Sequence, residues 1–184
     1  MDIEKLKYPI GEWQEPKAIN TEGLRTWIST IADLPKKLTA VLKDMDNEKL
    51  EWIYRPEGWS IRQVVHHLAD SHMNSFIRFK LALTEDLPTI RPYNEAKWAE
   101  MDDHLKTDVS ASLLILEGVH LRWNVLLNAM NNEDFNRKYH HPESNREYTL
   151  AEATSLYAWH CKHHLAHLLQ AMENEGKYSL AENL

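Results

Sequence analysis

Residues 58–74 read GWSIRQVVHHLADSHMN, and this stretch predicts the start of a long helix. Gln63 follows Ser60 by three residues, which is the spacing of a capping box that satisfies the first free N–H groups of a helix. Apolar residues then recur at helical spacing: Ile61, Val64, Val65, Leu68, Phe76, Phe79 and Leu83. The stretch therefore predicts an amphipathic helix with one face in a core.

Two further stretches show the same periodicity. One begins near Thr21 and carries an apolar stripe as far as Met45. Pro35 lies inside this stripe, and we expect it to kink or interrupt the helix because proline has no N–H to donate. The other helix is predicted from about Val109 to Met130.

The last long helix has its own start and stop signals. Thr149 and Glu152 form a second capping box, and Gly176 is a residue that commonly ends a helix. Before it, residues 85–108 read as a long polar connection.

Four long amphipathic helices predict an all-α four-helix bundle. Residues 135–148 predict a short hairpin or loop insertion before the last long helix. The length favours a single domain spanning residues 1–184, in which residues 1–20 form an extended N-terminal arm.

Composition narrows the classes of function. The net charge is −7 and no cluster of Lys and Arg stands out, so a nucleic-acid partner is not expected. The single cysteine, Cys161, cannot form an internal disulfide, which suits a reducing compartment. No stretch is long and apolar enough to span a membrane, and no signal peptide is recognisable, so a cytoplasmic location is expected. We interpret Cys161 as a small buried residue rather than a nucleophile.

Histidine is the unusual component, with eleven in the chain. The last helix contains two interleaved pairs with i, i+4 spacing, His160/His164 and His163/His167, and such a pair can chelate one metal ion. Helical phase places His160 and His164 on the apolar side and the other pair towards the flank. The sequence therefore favours His160 and His164 as ligands, with His167 as a neighbour.

A third ligand should come from the helix that follows Ser60. Its apolar face contains His72, whereas His67 lies on a polar stripe with Ser71 and Arg78. Helical phase alone leaves both histidines open and favours His72. A histidine on an apolar face is more often a hydrogen-bonded core residue, and that interpretation also applies to His120.

The same stretch, residues 58–74, closely resembles the second-helix motif of the DinB superfamily, and in particular its YfiT-like branch of metal-dependent hydrolases. Further segments resemble the branch in the same order along the chain: YPIG at residues 8–11, IRPY at 90–93, HLRW at 120–123 and WHCKHHLAH at 159–167. The resemblance covers nearly the whole chain.

This resemblance implies a DinB four-helix bundle with a divalent metal held by His67, His160 and His164. Zinc is the expected metal and nickel the alternative, because imidazole suits both. Many DinB proteins carry glutamine where this chain has His167, so His167 could support the metal site or compete for the metal. The family and the apolar helix surfaces also suggest a homodimer.

Two enzymatic functions fit an open three-histidine metal site. The first is hydrolysis of a small-molecule substrate by metal-activated water. The second is transfer of a low-molecular-weight thiol such as bacillithiol, which DinB relatives carry out. A non-catalytic, stress-induced metal-binding protein is the third hypothesis. Asp70 could orient a ligand or move a proton, and Arg78 and Arg91 could meet an anionic substrate.

Overall fold

The computed structural model describes residues 2–178. Its four long helices are Thr21–Leu42 (α2), Ile61–Thr84 (α4), Val109–Ala129 (α7) and Leu150–Glu173 (α9). Shorter elements connect them: α1 (Ile3–Lys7), α3 (Asn47–Leu50), α5 (Glu95–Trp98), α6 (Asp102–Lys106), α8 (Asn132–Asn136), β1 (Lys138–His141) and β2 (Arg146–Thr149). The predicted all-α four-helix bundle with a hairpin before the last helix is confirmed.

The long helices begin where the sequence predicts. Ser60 and Gln63 form both bonds of a capping box at the start of α4, and Thr149 and Glu152 do the same for α9. These bonds stabilise the helix starts because the first N–H groups of a helix lack partners within it. Gly176 follows α9 with a φ of 64°, a conformation that favours glycine.

The helices are arranged so that α2 packs against α7 and α9, and α4 packs against the same two helices. The helices α2 and α4 therefore occupy opposite corners, although they are consecutive long helices in the chain. Between them lies a core of fully buried side chains, which include Ile31, Leu68, Leu116, Trp123 and Leu168. Within residues 2–178, no helix combines the length and apolar character that a membrane span requires.

Pro35 does not interrupt α2, which continues from Thr21 to Leu42. A proline inside a helix leaves the carbonyl four residues earlier without its usual donor. That carbonyl belongs to Ile31, and Nδ1 of His120 on α7 lies 2.6 Å from its oxygen. A side chain from a neighbouring helix thus replaces the missing backbone hydrogen bond.

The N-terminal segment differs from the predicted extended arm because Ile3–Lys7 form a short helix. Asp2 caps this helix through its side chain, a local bond that the prediction overlooked. The segment lies along α9: Gln170 Nε2 donates to the carbonyl of Leu6 at 2.9 Å, and Trp159 Nε1 donates to that of Gly11 at 3.0 Å.

The hairpin joins the long connection to form one wall beside α9. Strands β1 and β2 pair antiparallel, and Asn145 takes the positive φ that the turn requires. The backbone of His140 also exchanges hydrogen bonds with the connection, accepting from Ile90 at 3.0 Å and donating to Pro88 at 2.9 Å. These bonds hold the two loops against each other at one side of the bundle.

Candidate metal centre

His67 of α4 meets His160 and His164 of α9, and one nitrogen from each lies within 4.8 Å of the others. His160 and His164 are one helical turn apart, with ring centroids separated by 4.4 Å. The ring of His67 faces that of His164 at 4.8 Å. The structure therefore brings together the three histidines that the family resemblance implied.

The spacing of these nitrogens suits a single ion. Nε2 of His67 and Nε2 of His160 are 3.4 Å apart, which is long for a hydrogen bond between them. Two nitrogens that bind the same tetrahedral zinc ion, each at about 2.0–2.1 Å, lie roughly 3.3–3.4 Å from each other. The two nitrogens are thus spaced as they would be around one cation.

Burial keeps this donor set neutral. Desolvation lowers the pKa of His67 to about 4, and it lowers the pKa of His160 and of His164 well below the usual value. Neighbouring imidazoles lower the last two further. Neutral imidazole is the form that binds zinc, nickel and similar metals, so the residues present fit the expected ion.

The three histidines lie at the wall of a cavity of about 310 Å³. Aromatic side chains from three segments line it: Trp59, Tyr93, Tyr157 and Trp159. Trp59 packs against the ring of His67 at a centroid distance of 4.8 Å. A small molecule in this cavity would contact the ring nitrogens of these histidines and several aromatic side chains.

Polar groups also line the cavity. Arg78 of α4 is half-buried and donates to the carbonyl of Arg91 at 3.3 Å. His141 comes from the hairpin, and its buried Nδ1 has no hydrogen-bond partner among the described residues. Burial and the nearby Arg78 lower the pKa of His141, so its ring is neutral at pH 7. Glu95 and Glu143 line the same cavity from exposed positions.

The other predicted site residues have different positions. Asp70 does not line the cavity, and its carboxylate lies 2.7 Å from Nε2 of the buried His104. Arg78 does line the cavity, whereas the side chain of Arg91 is exposed and only its carbonyl contacts Arg78. His104 belongs to α6, so this short helix covers the Asp70 carboxylate.

The histidines and the cysteine interpreted as core residues are buried. His72 is fully buried and contacts His120 and His160, which explains why its phase on α4 is apolar. Cys161 is buried on α9, and desolvation raises the pKa of its thiol, so it is not a ready nucleophile.

Sequence reasoning overlooked His141 and Tyr93 as cavity residues. Both lie on loops, where no periodicity indicates which way a side chain points. The available signal was weak: His141 directly precedes the predicted turn of the hairpin, and Tyr93 follows Pro92 in a segment that resembles the family.

The fold and this cluster define a helical-bundle protein with three histidines arranged to bind a metal ion. Comparison with known sequences then places the chain: it belongs to the DinB superfamily, whose sequence profile matches residues 30–168. The match covers most of the bundle, from within α2 to the last turns of α9.

Individual relatives agree with this assignment. Proteins of Bacillus cereus (strain 03BB102) and Bacillus thuringiensis subsp. konkukian (strain 97-27), both named "Putative metal-dependent hydrolase", are each 52% identical over 90% of this chain and 95% of their own length. A solved structure, YfiT from Bacillus subtilis, superposes with a TM-score of 0.90 at 44% identity, over 94% of this chain and 98% of the other. YfiT is described as "a probable metal-dependent hydrolase with an unusual four-helix bundle topology".

Proposed function

We propose that this chain is a metal-dependent hydrolase that acts on a small molecule and holds a divalent metal with His67, His160 and His164. The observation that carries the proposal is the convergence of three neutral imidazoles on one wall of an otherwise aromatic and polar cavity. The names of the relatives support the same reaction class.

A divalent metal held by three protein ligands keeps one coordination position open. When bound, such a metal acts as a Lewis acid and lowers the pKa of water at that position to near neutrality. The side chains around it have separate tasks. Trp59 and Trp159 line the cavity with apolar rings and would limit the water that reaches a bound substrate. The ring of Trp59 also packs on His67 and restricts its rotation.

Arg78 is the proposed binding group for the substrate. Among the described residues it has no carboxylate within ion-pair distance, and its recorded partner is the neutral carbonyl of Arg91. A half-buried guanidinium with free donors binds carboxylate or phosphate groups in a bidentate manner. The proposed substrate therefore carries an anionic group that Arg78 binds.

His141 is the proposed proton carrier. Its ring is neutral at pH 7, and its Nδ1 is buried in the cavity wall without a described partner. The His141 ring lines the cavity, so it lies where a bound substrate would contact it. We assign to this ring the transfer of a proton to or from the leaving group.

Zinc is the proposed metal and nickel the alternative. The decisive experiment uses protein purified without a nickel column, stripped with a chelator and reloaded with Zn²⁺ or Ni²⁺. It is assayed on ester and amide panels whose members occur with and without a carboxylate. Acid release that depends on the added metal and is lost in His67→Ala supports the proposal. His66→Ala is the matched control, because His66 is an adjacent buried histidine that bonds instead to Ser112 and Thr107.

Parallel assays with thiols and an electrophilic dye separate the other functions. Metal-dependent thiol consumption without acid release would replace hydrolysis by thiol transfer. Metal binding with neither activity would leave a binding protein. Within a working hydrolase, Arg78→Met should raise KM for the carboxylate-bearing substrates alone, whereas His141→Gln should lower kcat about 10²–10⁴-fold, the usual range for loss of a general acid or base.

A further inference from the structure

A chain of buried histidines leads from His160 into the core. Nδ1 of His160 lies 3.1 Å from Nε2 of His72, and Nδ1 of His72 lies 2.8 Å from Nε2 of His120. Nδ1 of His120 lies in turn 2.6 Å from the carbonyl oxygen of Ile31. His72 and His120 are 0% and 2% exposed, so these contacts are their means of hydrogen bonding.

The far end of this chain determines the direction of every bond in it. The Ile31 carbonyl is free because Pro35 has no N–H, and a carbonyl oxygen can only accept. His120 therefore donates from Nδ1. A neutral imidazole has one N–H, so Nε2 of His120 accepts from Nδ1 of His72, and Nε2 of His72 accepts from Nδ1 of His160. This leaves Nε2 of His160 with a lone pair, and that atom faces His67 at 3.4 Å.

A second, shorter run of hydrogen bonds ends on His164. Nε2 of His167 lies 3.0 Å from the carbonyl oxygen of Lys7, and Nδ1 of His167 lies 3.3 Å from Nδ1 of His164. The carbonyl accepts, so His167 donates from Nε2 and accepts at Nδ1. His164 then carries its proton on Nδ1 and has a lone pair on Nε2.

This assignment gives the second histidine cluster a supporting task. His163, His164 and His167 also have nitrogens close enough to surround an ion. Both ring nitrogens of His167 are already hydrogen-bonded, however, and Tyr54 stacks on its ring at 3.8 Å. His167 is therefore held as a partner of His164 rather than free to bind an ion of its own.

We propose that His72, His120 and His167 are positioning residues that fix the proton on Nδ1 of His160 and His164 and keep both Nε2 atoms ready for a metal. This proposal rests on the proposed metal ligands, and it adds how the proton position of two of them, His160 and His164, is fixed. A metal-ligating histidine that donates its other N–H is held in orientation and becomes a stronger ligand. Two backbone carbonyls fix the direction of the hydrogen bonds in the two runs of histidines. One is freed by a proline and the other comes from the N-terminal segment.

The first test needs no substitution and no metal. Long-range ¹⁵N–¹H NMR of the metal-free wild-type protein distinguishes protonated from unprotonated ring nitrogens. We expect N–H on Nδ1 of His72, His120, His160 and His164, and on Nε2 of His167. A spectrum with the proton of His160 or His164 on Nε2 overturns the proposal, whatever the protein does with metals.

The second test measures Zn²⁺ affinity by competition with a chromophoric chelator. His120→Leu and His167→Leu should each weaken binding about tenfold or more, since loss of such partners typically costs 10–100-fold. The double variant should show the product of the two losses, because the chains end on different ligands. His72→Leu with His120→Leu should bind no more weakly than His72→Leu alone, because both act through His160.

Rescue and control variants separate positioning from general damage. His120→Gln retains an acceptor for His72 and should restore Zn²⁺ affinity and the proton on Nδ1 of His160. His66→Leu removes a buried, hydrogen-bonded histidine outside the chains and should leave affinity unchanged even if it lowers stability. Equal loss in His66→Leu and His120→Leu refutes positioning. Absence of Zn²⁺ binding in the wild type would refute the proposed function instead. The NMR experiment would still test the proton positions independently.

Discussion

The outer face of α7 and the inner faces of α4 and α9 depart from the usual hydrophobic pattern in opposite ways. Leu114 and Leu121 of α7 are 70% and 67% exposed, whereas His72, His164 and His167 are buried. Burying an imidazole costs free energy unless its nitrogens are bonded. On α4 and α9 that cost is offset by hydrogen bonds between histidines. The exposed leucines have no such compensation inside a single chain, and contiguous apolar surface of this kind is typical of contacts with other molecules.

The largest effect is expected at His67, a buried imidazole whose hydrogen-bond contact among the described residues is the long approach to His160 at 3.4 Å. Among the described residues, Nδ1 of His67 has no hydrogen-bond partner, so His67→Leu should abolish metal binding without lowering the unfolding free energy of the metal-free protein. Elemental analysis and urea unfolding check the two halves of this prediction. Wild-type metal content in His67→Leu would remove it from the ligand set.

A matched pair of leucines tests the difference between the inner and outer faces directly. Leu68 is fully buried beside His67, and Leu68→Ala should lower the unfolding free energy by about 2–5 kcal/mol through lost packing and a cavity. Leu121→Ala makes the same chemical change at an exposed site and should stay within about 0.5 kcal/mol. Chemical denaturation of both variants measures the contrast, and equal losses would mean that Leu121 is buried in the protein as it exists in solution.

Acidification should lower the free energy of unfolding because of the histidines buried on the inner helix faces. Burial lowers the pKa of His120 to about 4, against about 6.5 in an unfolded chain. The unfolded state binds protons that the folded state excludes, so stability is complete above about pH 6.5 and is lost as the pH falls towards about 4. Burial lowers the pKa of His67 and His163 to about 4 as well, with the same sign. Urea unfolding of metal-free protein at several pH values measures the slope, which should be shallower in His120→Gln; identical slopes would contradict this account.

The smallest effect is expected for a polar substitution on the outer face of α7. Leu121→Ser should change monomer stability by no more than about 0.5 kcal/mol. The homodimer suggested by the sequence stays a prediction, and this face is the surface on which to examine it. Sedimentation velocity of the wild type and of Leu121→Ser gives the answer: a monomeric wild type would refute the dimer.

Much of the fold follows from local chemistry. The capping residues Ser60 and Thr149 and the periodic apolar residues place the starts of the long helices within a residue or two. The i, i+4 histidine pair on α9 could also be predicted from the sequence, because two histidines one turn apart share a face in any helix. Pro35 was harder to interpret: its effect on α2 depends on whether another helix supplies a donor to the Ile31 carbonyl, and His120 does so.

The choice between His67 and His72 shows where helical phase stops being informative. The two residues are five positions apart and point roughly 140° from each other around α4. Phase identified His72 as the more buried residue, and it is, but this deeper histidine contacts His160 and does not line the cavity. Only the motif shared with the family selected His67, and only the packing of α4 against α9 gives a physical reason.

The sequence by itself determined the four helices, their capped starts and the histidine pair on α9, because these depend on neighbours within one or two helical turns. It also determined the family to which the chain belongs, through segments spread along the chain. Tertiary structure alone decided that the hairpin and the 85–94 connection bring His141 and Tyr93 into the cavity, and that Asp70 pairs with His104 away from it. It also decided how the buried histidines are paired. Hydrogen bonds between helices depend on how far each helix is shifted and rotated against its neighbours, and no local pattern encodes that shift.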